Sequence, residues 1–334
     1  MNNTFCYNIQ GIYFTLFSKN PKKILAKLRE IPDSKLTEIS QRVSYYCGAK
    51  ISPSNILQNI TPSKKEMLTH SRYCYDFWEF MRFFPKNLSF SFCAGDVNTP
   101  LMHPTFCKSR PIPYGTMQDS KNNILLKLDK KRHFGSMHLL SQKTHPIASF
   151  YEKKDLVFFR GGCYQKHRKD FMRLFFHHPL LDAGHVGSLE DEELKKWFKG
   201  KSNLSTHLKH KFILSLEGND VATNLKWIMA SNSLAIMPKP KFETWFMEGT
   251  LLPDIHYVLL DDDFKNLEEK VDWILKNPKI AETIIHNANI YVKKFLDKSQ
   301  EDLLNFLVLR KYFYQTGQIE VTKIEEEIFK IHCY

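Results

Sequence analysis

The sequence lacks most of the signals that settle function at a glance. It has no C-x-x-C pair, and its seven cysteines are odd in number and widely spaced, which excludes a zinc knuckle and a paired disulfide framework. Reduced thiols are the expectation. No run approaches the ~20 apolar residues that span a bilayer. The segment Phe5–Phe17 is broken by Asn8, Gln10 and Thr15, and the first lysine is Lys19, so a secretory signal is not expected there. No internal repeat or low-complexity linker occurs. Neither G-x-G-x-x-G nor a Walker A sequence is present, which removes the standard dinucleotide fingerprint and the P-loop.

What is present is ordinary globular material with a charge bias. A chain of 334 residues suits two domains or one large one. Aromatic residues make up 13%, with 26 Phe, enough for two cores. Lys and Arg total 48 against 36 Asp and Glu, a formal charge of +12. That surplus favours anionic partners such as nucleic acid, acidic lipid or phosphorylated metabolites, or serves solubility alone. No helix-turn-helix, zinc finger or RNP motif accompanies it.

The first ninety residues read mostly as helix, over Pro21–Glu30, Ser34–Tyr46 and a segment opened by the capping box Ser63-Lys64-Lys65-Glu66 and stopped by Pro85. Leu88, Phe90 and Phe92 alternate with serines, which predicts a strand with one buried face. It leads into Ala94-Gly95-Asp96, an acidic residue just past a strand end, where open α/β sheets place ligands. Asn123–Leu128 is a further strand candidate. From about residue 150 the pattern alternates strand and helix. Apolar runs at Leu156–Phe159, Phe212–Leu216, Leu234–Met237 and His256–Leu260 are separated by helical stretches. Asn266 with Glu269, and Asn277 before Pro278, are predicted helix starts. Alternation of this kind predicts an α/β fold around a mostly parallel sheet.

Two strand-to-helix turns carry glycine, Gly161-Gly162 and Gly218. Such a turn lets backbone approach a ligand, and the following helix aims unpaired N–H groups at it, so a phosphate or diphosphate fits; plain turn chemistry fits as well. Arg160 adds a bidentate cation to the first turn.

The residues themselves resemble glycosyltransferase family 90. The resemblance rests on Lys211–Lys226 (KFILSLEGNDVATNLK), Ala230–Ser233, Glu243–Phe246, Leu252–Val258 with its L-x-P-x-x-H-Y element, and Asp155–Gly162 with F-R-G. Upstream, Gly95–Val97, Pro104–Arg110 and Asp129–Phe134 resemble the bacterial lipopolysaccharide-core branch. These motifs keep their order from about Leu88 to Leu296.

The resemblance implies a GT-B architecture: two Rossmann-like domains with the active site in the inter-domain cleft. It implies transfer of a sugar of glucose, galactose or xylose type from a UDP-sugar, with inversion and without an essential metal or cofactor, to a hydroxyl of a lipopolysaccharide core or related surface glycan. The division expected is 1–150 for an acceptor-binding domain carrying the base, 151–300 for a UDP-sugar-binding domain and 301–334 for a helical tail. The base maps to Asp96. Nucleotide contacts map to Arg160, Gly161, Gly218, Asn219, Asp220, Ala222, Thr223 and Asn224, with Lys226 beside them. Protein-glucosylating relatives carry arginine at the position of Asn224, which shifts the diphosphate role toward Arg160, Lys226 and the helix start. Glu243 is a candidate for the ribose hydroxyls, since a carboxylate accepts two hydrogen bonds. The expected setting is cytoplasmic, with peripheral contact at the inner-membrane surface and an anionic saccharide or glycolipid acceptor. The basic run Lys166–Arg173 is a candidate for that contact or a solvated face. The alternatives are a basic nucleic-acid-binding protein and an inactive GT-B-like interaction protein.

Three further features compete for chemistry. Asp261-Asp262-Asp263 contains D-x-D, which also reads as a cap and turn. His207-x-x-His210 and His177-His178 lack the further ligands that structural zinc needs. Cys163 beside Gly162 reads as a small buried thiol.

Overall fold

The computed structural model describes residues 3–48, 51, 71–113, 120–142 and 148–330. The expected capping box at Ser63–Glu66 lies outside the described residues. The chain forms two compact units, Met1–Lys130 with Phe242–Phe246 and Asp297–Tyr334, and Lys131–Lys241 with Met247–Leu296. Strands among the described residues are short. In chain order they are β1 (Thr105–Cys107), β2 (Ser109–Pro111), β3 (Asn123–Leu125), β4 (Lys154–Gly161), β5 (Leu181–His185), β6 (His210–Leu214), β7 (Leu234–Met237), β8 (Phe242–Thr244) and β9 (Val258–Leu259).

The first unit is mainly helical. Its axis is the helix Lys298–Gln315, in which Leu303, Leu304, Phe306–Leu309, Tyr312 and Phe313 are all buried. A helix buried along most of its length belongs inside a core, and its buried Glu301, Asn305 and Lys311 must then find partners there. Phe84, Phe90 and Phe106 each pack a ring against Phe313. Near its start, the Glu301 carboxylate accepts from Arg42 Nη2 at 2.7 Å, Lys127 Nζ at 2.8 Å and Trp245 Nε1 at 2.7 Å. A buried carboxylate is tolerable only when it is satisfied in this way, and the neighbouring cations hold Glu301 below the usual carboxylate range against the opposing effect of burial. Two small sheets complete the unit: β1 beside β3 in parallel, and β2 against β8 antiparallel.

The alternating segment Leu88–Phe92 does not form the expected strand. It makes a single parallel bridge, Phe92 to Phe106, with two backbone hydrogen bonds around it. Leu88 and Phe90 are buried as expected, but the burial comes from ring contacts of Phe90 with Phe77 and Phe106 rather than from a ladder.

The second unit is α/β. Five strands run in the order β5-β4-β6-β7-β9, and every pairing is parallel. Val157, Phe158 and Phe159 of β4 and Phe212, Ile213 and Leu214 of β6 are all buried, the continuous apolar run that a sheet covered on both faces requires. The helices Lys166–Phe175, Leu267–Lys276 and Pro278–Lys293 supply much of the cover, with Phe171, Val271 and Ile284 in the common core. Two predicted caps behave differently from expectation. Asn266 leaves its helix start uncapped by its side chain, because its Oδ1 accepts from Asp261 N at 3.0 Å. Asn277 turns its amide back to donate to Trp273 O at 2.8 Å, while Pro278 does open the long helix.

Candidate active site

In the second unit the chemistry gathers at the carboxyl ends of the two central strands. The chain leaves β6 through Ser215–Asn224, the segment that contains Gly218. This loop is held by the helix that follows β4. Arg168 Nε donates to Glu217 O at 2.8 Å, Nη2 to Leu216 O at 2.6 Å and Nη1 to Gly162 O at 2.8 Å. One half-buried guanidinium therefore ties both glycine turns together. Burial lowers its pKa without bringing an arginine near neutrality. His167 Nε2 bonds Glu217 O at 2.8 Å, and Gln165 Nε2 donates to Asn219 Oδ1 at 3.0 Å. Within the loop Gly218 N donates to Asp220 O at 2.9 Å. Asp220, Val221 and Ala222 are buried, Gly218, Thr223 and Asn224 are half-buried, and Asn219 is exposed. Asn224 staples the loop to its strand, donating to Leu214 O at 3.0 Å and accepting from Ser215 Oγ at 3.1 Å. At the other turn, a Cβ on Gly161 would stand 2.7 Å from the tip of the buried Phe159 ring, so any larger residue would have to push that ring aside.

The remaining predicted nucleotide residues are placed differently. Arg160 lies at the β4–β5 seam, where Nη1 donates to Asp182 O at 2.7 Å and Nη2 to Asp182 Oδ1 at 2.8 Å. Lys226 is fully buried, 2.6 Å from Glu248 Oε1. Glu243 is in the first unit, on β8 directly across from Arg110 of β2. It accepts from Arg110 Nε at 2.7 Å and from the Tyr45 hydroxyl, a buried cross-strand pair.

Asp96 also belongs to the first unit. Gly95 precedes it with φ +101°, a conformation that suits glycine. Val97 is clamped to β2 by Ser109, which accepts from Val97 N and donates to Val97 O, both at 3.0 Å. Asp96 Oδ1 accepts from Lys108 Nζ at 2.5 Å and from the Tyr73 hydroxyl at 3.4 Å. The aspartate side chain is 25% exposed, whereas that of Lys108 is 2% exposed. The Asp96 carboxylate is thus held from behind by a buried ammonium while keeping an accessible face, an arrangement that suits a general base.

Sequence reasoning missed Arg168, Lys108 and His185 as supporting residues. Cys163 N donates to His185 Nδ1 at 3.0 Å, which leaves Nε2 as the donor to Ser188 O at 2.9 Å and shapes the turn after β4. Lys108 stands inside a motif already singled out, but its partner is twelve positions away, beyond any helical or strand spacing. The competing features have structural occupations. His207 and His210 pack on Phe158 with ring centroids 4.7 and 4.4 Å away, and burial lowers the pKa of each. Asp262 accepts from Lys241 and Asp263 from Lys265. Burial pushes the Cys163 thiol up to about 11, so it is not a thiolate at neutral pH.

Comparison with known proteins gives these sites a class. The model of the family described as "Glycosyl transferase family 90" matches residues 129–327, a span that enters both units. The chain is 38% identical over 298 residues to a protein named "O-glucosyltransferase LpsA" from Dichelobacter nodosus, covering 89% of each. It is 28% identical over 179 residues to "Protein O-glucosyltransferase 3" from Homo sapiens, covering 52% of this chain and 35% of that protein. The class is that of glycosyltransferases. Within it, the chain belongs to glycosyl transferase family 90. No helix among the described residues is long and apolar enough to cross a membrane.

Proposed function

We propose that the protein is an inverting, UDP-sugar-dependent glycosyltransferase of GT-B architecture that moves glucose to a hydroxyl of a lipopolysaccharide core or related surface glycan. The observation that carries it is the near full-length similarity to an O-glucosyltransferase, which spans both the Asp96 loop and the Gly218 loop. The glucose assignment follows the names of the relatives; the acceptor follows the resemblance of the upstream motifs.

In this reading Asp96 takes the proton of the acceptor hydroxyl as its oxygen bonds to the anomeric carbon. The bond from that carbon to the UDP oxygen breaks in the same displacement, so the configuration inverts. Lys108 holds the Asp96 carboxylate in place beforehand. Gly161, Gly218, Asn219, Thr223 and Asn224 meet the nucleotide, and the departing diphosphate is met by backbone N–H groups. Arg160, Asp220, Ala222 and Lys226 act behind them, through the pairs and packing already described, while Glu243 serves the first unit through its pairs with Arg110 and Tyr45. The reaction uses no metal, and it takes place at the cytoplasmic side of the inner membrane.

The test is a donor screen with purified core oligosaccharide, reading UDP release and product linkage. Release with UDP-glucose and an inverted linkage supports the reading. Transfer with retained configuration, or transfer lost in chelator and restored by manganese, overturns it.

A further inference from the structure

The helix Asn3–Leu16 has two unlike sides. Its inner side is fixed by Gly11, where a Cβ would stand 2.1 Å from the Tyr75 ring, so the backbone lies directly on that ring. Tyr7 and Phe14 share this side. Tyr7 donates to Asp76 Oδ1 at 3.1 Å, and Phe14 is buried beneath the Arg82 guanidinium, 4.1 Å from its ring centroid. Ile9, Ile12, Tyr13 and Leu16 recur at helical spacing on the opposite side and are 52%, 49%, 51% and 63% exposed. Phe17 extends the stripe, stacked on Tyr13 at 4.8 Å. An apolar stripe of this size on the surface calls for a covering partner.

The flanking charge identifies that partner. Lys19, Lys22, Lys23, Lys27 and Arg29 follow the helix and are exposed, and residues 1–29 contain no Asp or Glu. The basic helix Lys166–Phe175, by contrast, offsets its cations internally: Lys166 meets Asp170, Lys169 meets Asp191 and Arg173 meets Glu193. We propose that the outward face of Asn3–Leu16, with the basic residues after it, docks on an anionic lipid bilayer. Ile9, Ile12, Tyr13 and Leu16 enter the boundary between headgroups and acyl chains, and the lysines meet lipid phosphates. An apolar stripe followed in the chain by exposed cations that meet no carboxylate among the described residues fits such a surface better than it fits a protein groove, which would need carboxylates opposite the lysines.

The experiment is vesicle flotation of the full chain, with light scattering of the free protein. We expect it to float with phosphatidylethanolamine–phosphatidylglycerol vesicles and far less with phosphatidylcholine alone. The double variant Ile9→Ser, Leu16→Ser should lose at least tenfold in partitioning. Lys22→Glu, Lys23→Glu changes only exposed side chains, so it tests the idea without risk to folding; it should lose about fivefold per residue. Equal flotation on neutral and anionic vesicles, or unaltered flotation of both variants, overturns the proposal. So does a dimer in free solution that the Ile9/Leu16 variant abolishes, since a second copy then covers the face. Transfer to a soluble acceptor is measured separately, so failure here leaves the proposed activity untouched.

Discussion

Arg168 Nη2 lies 2.6 Å from the main-chain oxygen of Leu216, and the same guanidinium reaches Glu217 and Gly162. Replacing Arg168 with Ala removes three charge-assisted bonds and should cost about 2–4 kcal/mol. The melting temperature should fall by several degrees, and the rise expected on adding UDP to the wild type should disappear with the loop geometry. A variant that melts lower yet keeps the full UDP shift would show that this loop does not hold the nucleotide.

Lys226 and Glu248 form an ion pair in which neither side chain is more than 1% exposed. Lys226→Met takes the ammonium away from a buried carboxylate and should destabilise by about 3–5 kcal/mol. Adding Glu248→Leu should recover much of that loss, because the pair is then replaced as a unit. UDP affinity of the double variant separates two roles for the lysine. Unchanged affinity fits support from behind, and a large loss would place its charge on the diphosphate.

Lys153 carries a pH dependence of definite sign. Burial pushes its pKa down from 10.5 to about 8, while its ammonium donates to Ser233 Oγ at 2.8 Å. Between about pH 8 and pH 10.5 the unfolded chain holds a proton that the native state has released, so stability rises with pH. The gain is on the order of 3 kcal/mol. Urea unfolding of the wild type and of Lys153→Met at pH 7 and pH 10 should therefore give a difference that shifts in favour of the wild type at the higher pH. A constant difference would contradict the assignment.

The α/β character of the second unit was legible because its strands are continuous apolar runs, and Val157–Phe159 and Phe212–Leu214 announce themselves. The loop from Gly218 to Asn224 was equally readable from its resemblance. Arg168 was hidden because three of its partners are backbone oxygens, which leave no trace in side-chain spacing. Glu243 and Lys226 read as ligand contacts from the family resemblance and their charge, and neither signal announces the Arg110 and Glu248 that stand beside them in the fold. Phe90 shows the same gap on the apolar side: alternation reported its burial correctly but could not say that packing of rings, rather than a ladder, supplies it.

The central claim is that the carboxylate of Asp96, backed by Lys108, accepts the proton of the incoming hydroxyl. Its most direct measurement is single-turnover transfer from UDP-glucose to core oligosaccharide by Asp96→Asn, with UDP binding followed in parallel. The account predicts a loss of about 10²–10⁴ in rate with UDP affinity preserved. Transfer at close to the wild-type rate, with UDP still bound, would contradict it.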